Sequence, residues 1–159
     1  MFNIRVAQKE DAPAILEMIK ELALYEKEPD KVVCTPQDLV RDGFGDNPFF
    51  ECLLVEHEGN PVAFALYFFK WSTWTGSPGM HLEDLYVKPA MRGKQIGFSL
   101  MKRLAQIAVE RKCDRFEWDV LDWNTPALDF YKNLGAITKD GWLTCRMDGD
   151  ALKQLGSQS

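Results

Sequence analysis

The chain has 159 residues, 46% of them hydrophobic and 27% charged, enough for one folded domain with its own core and too apolar for extended disorder. Lys and Arg total 19 against 24 Asp and Glu, a net charge of −5, which argues against a general nucleic-acid binder. The apolar run Val62 to Phe69 is far shorter than the about 20 residues that cross a bilayer. No charged-then-apolar leader opens the chain, so a cytoplasmic protein with no membrane partner is expected. Cys34, Cys52, Cys113 and Cys145 lack CxxC spacing, and His57 and His81 sit near none of them in sequence. Reduced thiols and no metal are the expectation.

Phe2, Ile4 and Val6 alternate with polar residues and predict a short strand. Asp11 offers an N-cap, Pro13 fits a first turn, and Ile15, Met18, Ile19 and Leu22 form one apolar stripe of a helix ending near Tyr25-Glu26. Thr35-Pro36 starts a second helix, stopped by Gly43 and Gly45. Phe50 to Glu56 and Val62 to Lys70 read as a hairpin about the turn His57 to Pro61. Trp71 to Gly79 has loop chemistry, and His81 to Val87 is another strand.

After the connection Pro89 to Gly93, a helix is predicted over Ile96 to Lys112, with Met101, Leu104, Ala105 and Ala108 on one face. Phe116, Trp118 and Val120 alternate as a strand. Asp122 to Pro126 turns into a helix with Ala127, Phe130, Tyr131 and Leu134 as its stripe and Gly135 beyond its end. A last strand is expected over Trp142 to Met147, and residues 156–159 as a frayed tail. The order is β-α-α-β-β-β-α-β-α-β: a single α/β domain over residues 1–155 with a mixed sheet.

The segment Leu85 to Phe98, LYVKPAMRGKQIGF, passes from a strand through a basic turn into a long helix. Free N–H groups at a helix start, the positive dipole end and two cationic side chains make a phosphate site. A solvated basic turn explains the same residues. Neither a Walker loop nor a dinucleotide fingerprint is present.

Arg92-Gly93-Lys94-Gln95-Ile96-Gly97 resembles motif A, Arg/Gln-x-x-Gly-x-Gly/Ala, of the GNAT superfamily of acetyl-CoA-dependent N-acetyltransferases. Gln95 departs from it, standing where the middle glycine belongs, and would be strained if that backbone needs a positive φ. The resemblance spans nearly the whole chain and is nearest the diamine (spermidine/spermine) and thialysine Nε-acetyltransferase branch. It is carried by Ile19-Lys20-Glu21-Leu22-Ala23 with Tyr25-Glu26, by Asp42-Gly43-Phe44-Gly45 with Asn47-Pro48-Phe49, and by Leu82-Glu83-Asp84, Asp122-Trp123-Asn124 and Phe130-Tyr131-Lys132.

That resemblance implies a GNAT-like acyl-CoA N-acyltransferase fold, acetyl-CoA as co-substrate, a small primary amine as acceptor, and a homodimer. It implies cofactor contacts from Leu85, Tyr86, Val87, Arg92, Gly93, Lys94, Gln95, Ile96, Gly97 and Phe98, and from Asn124, Thr125, Pro126, Ala127 and Tyr131. Substrate contacts fall on Tyr25, Glu26, Glu83, Asp84, Glu117, Trp118 and Asp119. Glu83 is implied as a base acting through water and Tyr131 as the acid for the departing thiolate. The strands His81–Val87 and Arg115–Leu121 are implied to splay around the pantetheine arm.

Taken alone, Glu83 and Asp84 read equally as an edge-strand charge pair, Tyr131 as a core aromatic, and Asn124 as a helix cap. Polyamine-type relatives tend to carry Asp where Ser72 stands. Its absence should weaken long polyamines by about 1–3 kcal/mol if that contact is desolvated, which favours a shorter amine. The rival expectations are a protein lysine or N-terminal acetyltransferase, which the 71–79 loop opposes if it covers the pocket, and a non-catalytic CoA-binding sensor.

Overall fold

The computed structural model describes residues 1–159, which divide into two compact units, Met1–Leu121 and Asp122–Ser159. The first holds β1 (Phe2–Val6), α1 (Ala12–Tyr25), α2 (Pro36–Gly43), β2 (Glu51–His57), β3 (Asn60–Ser72), β4 (Ser77–Val87), α3 (Ile96–Glu110) and β5 (Arg115–Trp118). Its sheet runs β1-β2-β3-β4-β5; the first four strands are antiparallel and β5 is parallel to β4. The parallel pair needs a crossover, which α3 provides.

Both faces of the central sheet are covered. Cys52 and Leu54 of β2, Phe64 and Leu66 of β3, and Tyr86 of β4 join one cluster with Ile15, Leu16 and Met18 of α1 and Leu39 of α2. Leu53, Val55, Ala63 and Ala65, at the alternate positions, are buried too. That is why Cys52 to Val55 is an unbroken apolar run rather than an alternating one. On α3 the buried stripe is Ile96, Leu100, Met101, Leu104, Ile107 and Ala108; Ala105, predicted on that face, is exposed because at 100° per residue it falls just outside the arc these residues define.

The predicted cap at Thr35 is present: the Asp38 amide donates to the Thr35 hydroxyl at 3.2 Å, and the Thr35 amide donates to the Asp38 carboxylate at 2.9 Å. Asp11 takes the predicted N-cap position of α1, but its side chain does not cap that helix. Its carboxylate accepts from the Gln8 amide at 2.7 Å and pairs with Arg5, closing a 3₁₀ turn over Lys9–Asp11 ahead of α1. Two further expectations are corrected. The region 71–79 is not a long loop: β3 runs to Ser72 and β4 starts at Ser77, because Trp71↔Pro78 and Ser72↔Ser77 continue the ladder. β5 stops at Trp118, short of Leu121, where its pairing with β4 ends.

The second unit contains α4 (Thr125–Asn133) and α5 (Gly149–Gly156). Asn124 caps α4 by accepting from the Ala127 amide at 3.4 Å. Gly135 ends it with φ +97°, and the Gly135 and Ala136 amides bond back to Lys132 and Tyr131. This is a Schellman closure, which needs a left-handed residue at Gly135. The strand expected over Trp142–Met147 is not formed. Between that segment and the predicted tail, where the sequence reading placed no element, the chain forms α5, which takes in Gly156.

Candidate active site

At Glu83, β4 parts from β5 and slips register with β3. On the β3 side Leu66 faces Asp84 and Tyr67 faces Leu82, so Glu83 is an extra residue with no partner. This is a β-bulge, which breaks the strict alternation of side chains and re-aims them. On the β5 side the ladder runs from Gly79↔Arg115 to Leu82↔Trp118 and stops. From Glu83 to Val87 the strand has no β5 partner, and its amide groups on that side are open to an extended, amide-bearing ligand arm.

The two acids lie in different surroundings. Glu83 is exposed, whereas Asp84 is largely buried and lines a cavity of about 230 Å³ with Glu26, Glu28, Lys31, Ile19 and Leu22. Burial, then the charges of Glu83 and Glu26, push the Asp84 carboxyl up to about 6. Burial also raises Glu26. Three carboxylates against one ammonium leave the cavity net acidic, while α1 supplies an apolar wall. Such a site draws in a cation carried on an alkyl chain.

Past β4 the chain makes a 3₁₀ turn over Pro89–Met91 and enters α3. Gly93 has φ +80° and Gln95 φ +62°, so both adopt the left-handed backbone. The strain foreseen for Gln95 is therefore present, at a cost of about 1–2 kcal/mol. No side chain caps α3, and the first helical bond is from the Ser99 amide to the Gln95 carbonyl at 3.0 Å. The amides of Ile96, Gly97 and Phe98 thus have no acceptor within the helix, beside the cationic Arg92 and Lys94. The open strand edge and this turn together fit a ligand with an amide-bearing arm and a diphosphate.

Arg92 also ties the turn to the amine side. Its Nε donates to the Val87 carbonyl at 3.2 Å, and its guanidinium lies 5.7 Å from the centre of the Tyr25 ring and 5.8 Å from that of Tyr86.

Glu26 and Asp84 thus share one cavity, and Tyr25, Tyr86 and Arg92 meet beside it. Glu117, Trp118 and Asp119 do not line it. Glu117 lies 3.5 Å from Lys70, Trp118 packs edge-on to Phe116, and Asp119 is exposed just past β5. The Ser72 hydroxyl accepts from the Trp74 and Thr75 amides, both at 3.2 Å, and so closes the hairpin turn. Lys31 and Val32 line the cavity unforeseen. Pro29 was the only local signal there, and it marks a turn without saying what the turn faces. In the second unit, Tyr131 is half-buried on α4 against Phe130, while Thr125, Pro126 and Ala127 form the first turn of that helix after its Asn124 cap.

A mixed sheet whose fourth strand parts from the fifth beside an uncapped, basic helix start defines an acyl-CoA N-acyltransferase. Residues 15–136 match the Acetyltransferase (GNAT) family, and the chain belongs to it: it is an acetyl-CoA-dependent N-acetyltransferase. The chain is 45% identical to a thialysine N-epsilon-acetyltransferase of Sus scrofa, with 98% of this chain and 97% of that one covered. It is 40% identical to the spermidine/spermine N(1)-acetyltransferase-like protein 1 of Homo sapiens over 97% of this chain and 24% of that protein. Among solved structures, an integron cassette protein from the mobile metagenome of V. cholerae superposes with a TM-score of 0.82 at 28% identity, covering 99% of this chain and 98% of that one.

Proposed function

We propose that the acceptor is the primary amino group of a small cationic amine of the thialysine or diamine kind, attacked directly without an acyl-enzyme. The observation that carries this reading is the acidic, half-apolar cavity under Asp84, one residue past the bulge at Glu83. The names of the relatives at 40–45% identity agree with it.

Alkylamines have a pKa of about 10 and are almost wholly protonated at neutral pH. The site must therefore attract an ammonium and then strip it. Asp84, ionised above about pH 6, and Glu26 hold the cation, and the α1 wall takes its alkyl chain. Glu83, exposed on its bulge, takes the proton through water. Acetyl-CoA, when bound, supplies the acyl carbon as a thioester. Leu85, Tyr86 and Val87 hold its arm through their open backbone groups, the turn from Arg92 to Phe98 takes its diphosphate, and Asn124 to Ala127 add further contacts. The Tyr131 phenol donates a proton to the departing thiolate. The protein works as a homodimer, and in the cytoplasm, a location that its four free thiols support.

The hairpin over residues 71–79 keeps a second acceptor in play. With its strands paired to the turn, it gives no covering loop to exclude a peptide. A panel of thialysine, lysine, putrescine, spermidine and a lysine-containing peptide, assayed by release of free CoA thiol, decides between them. The expected order places thialysine highest in kcat/KM. A preference for spermidine overturns the argument from Ser72, and a preference for the peptide overturns the small-amine reading.

A further inference from the structure

The chain leaving α1 brings opposite charges to one wall of the acidic cavity. Pro29 opens a 3₁₀ turn that ends at Lys31, and the Lys31 amide donates to the Glu28 carbonyl at 3.2 Å. Val32 follows, packed half-buried against the core of α1 and α2, and anchors the turn. Glu28 and Lys31 both line the cavity of about 230 Å³, and Lys31 is the one cation lining it. Its ammonium forms no ion pair with Glu26, Glu28 or Asp84, although all three carboxylates line the same space. Asp84 feels burial, Glu83 and Glu26, and neither Glu28 nor Lys31. The cavity thus has two ends. Asp84 and Glu26 stand at the end beside Glu83, where the reacting amine enters, and Glu28 and Lys31 stand at the other.

We propose that Lys31 sets acceptor specificity: with Glu28 it reads the zwitterionic head of an ω-amino acid, Lys31 taking the α-carboxylate and Glu28 the α-ammonium. The inference rests on the small-amine reading above and says which small amine this wall fits. An amino-acid head carries both charges on one carbon, and the wall presents both without pairing them. A diamine carries only a second ammonium, to which Lys31 is a like charge. In a cavity for diamines that lysine only weakens binding; in one for amino acids it supplies the sole cationic partner for the carboxylate.

The test compares thialysine with bis(2-aminoethyl) sulfide, the same molecule without its carboxylate, by release of free CoA thiol from acetyl-CoA. Lys31 is exposed, so its substitution leaves the fold intact. Lys31→Gln should raise the KM for thialysine about fivefold, the scale of one solvent-exposed ion pair, with kcat unmoved. The same variant should lower the KM for the diamine, because a like charge is gone. Lys31→Arg keeps the charge and should keep the wild-type ratio of the two KM values. Added salt should shrink the effect of Lys31→Gln, since exposed charges are screened. Two KM values that shift together, or not at all, in Lys31→Gln overturn the role of Lys31 and leave the small-amine reading standing. Turnover of a lysine-containing peptide and of neither small amine overturns both.

Discussion

Leu82 is the last residue of β4 paired with β5, and its partner is Trp118, the last residue of β5. The next residue of β4 is the bulged Glu83, so the sheet opens where the strand also loses register with β3. At this one position β4 loses β5 for good and skips a single step of its ladder with β3, which resumes at Asp84. The carboxylate there is free of the sheet's packing and exposed.

Glu83→Gln should accordingly lower kcat/KM about 100-fold, the scale of losing a general base. Unfolding free energy should stay within about 0.5 kcal/mol of wild type, because the side chain is exposed. An unchanged kcat/KM takes Glu83 out of the chemistry.

Asp84 trades stability for charge. Its folded pKa, about 6, lies above the ordinary carboxylate value. Between the two, the folded state holds a proton that the unfolded state has lost. Stability therefore falls as pH rises through that window, and the cost is complete above about pH 6. Asp84→Asn should raise the unfolding free energy at pH 7.5 by about 1–3 kcal/mol, with little change near pH 3.5. It should also raise the KM for the amine. For the wild type, that KM should climb as pH drops below about 6, as the site gives up its charge. A KM for the amine that ignores both the substitution and the pH removes Asp84 from amine binding.

Gln95 carries left-handed backbone that glycine adopts freely. Glycine there relieves about 1–2 kcal/mol of strain and costs about 0.5–1 kcal/mol in chain entropy. Gln95→Gly should thus stabilise the protein by up to about 1.5 kcal/mol in urea titration, with acetyl-CoA still raising its Tm. A net loss of stability means that the Gln95 side chain does something the strain argument omits.

Tyr131→Phe keeps the ring of a half-buried position and removes only the hydroxyl. The kcat should fall about 100-fold while the KM for acetyl-CoA stays near wild type. A loss confined to KM assigns the phenol to binding alone.

The sequence by itself carried the helices and strands of the first unit, the Thr35 cap, the Gly135 stop and the basic turn into α3. These depend on near neighbours: apolar spacing, a capping oxygen, a glycine where φ is positive. The bulge at Glu83, the end of the ladder at Leu82 and Trp118, and the cavity that joins Glu26 to Asp84 were settled only by tertiary structure. Each depends on how distant segments meet. Register is a property of two strands, and the burial that lifts the Asp84 pKa comes from a helix far away in the chain. The same limit explains Trp142–Met147, whose residues favour a strand that exists only when another strand lies beside it.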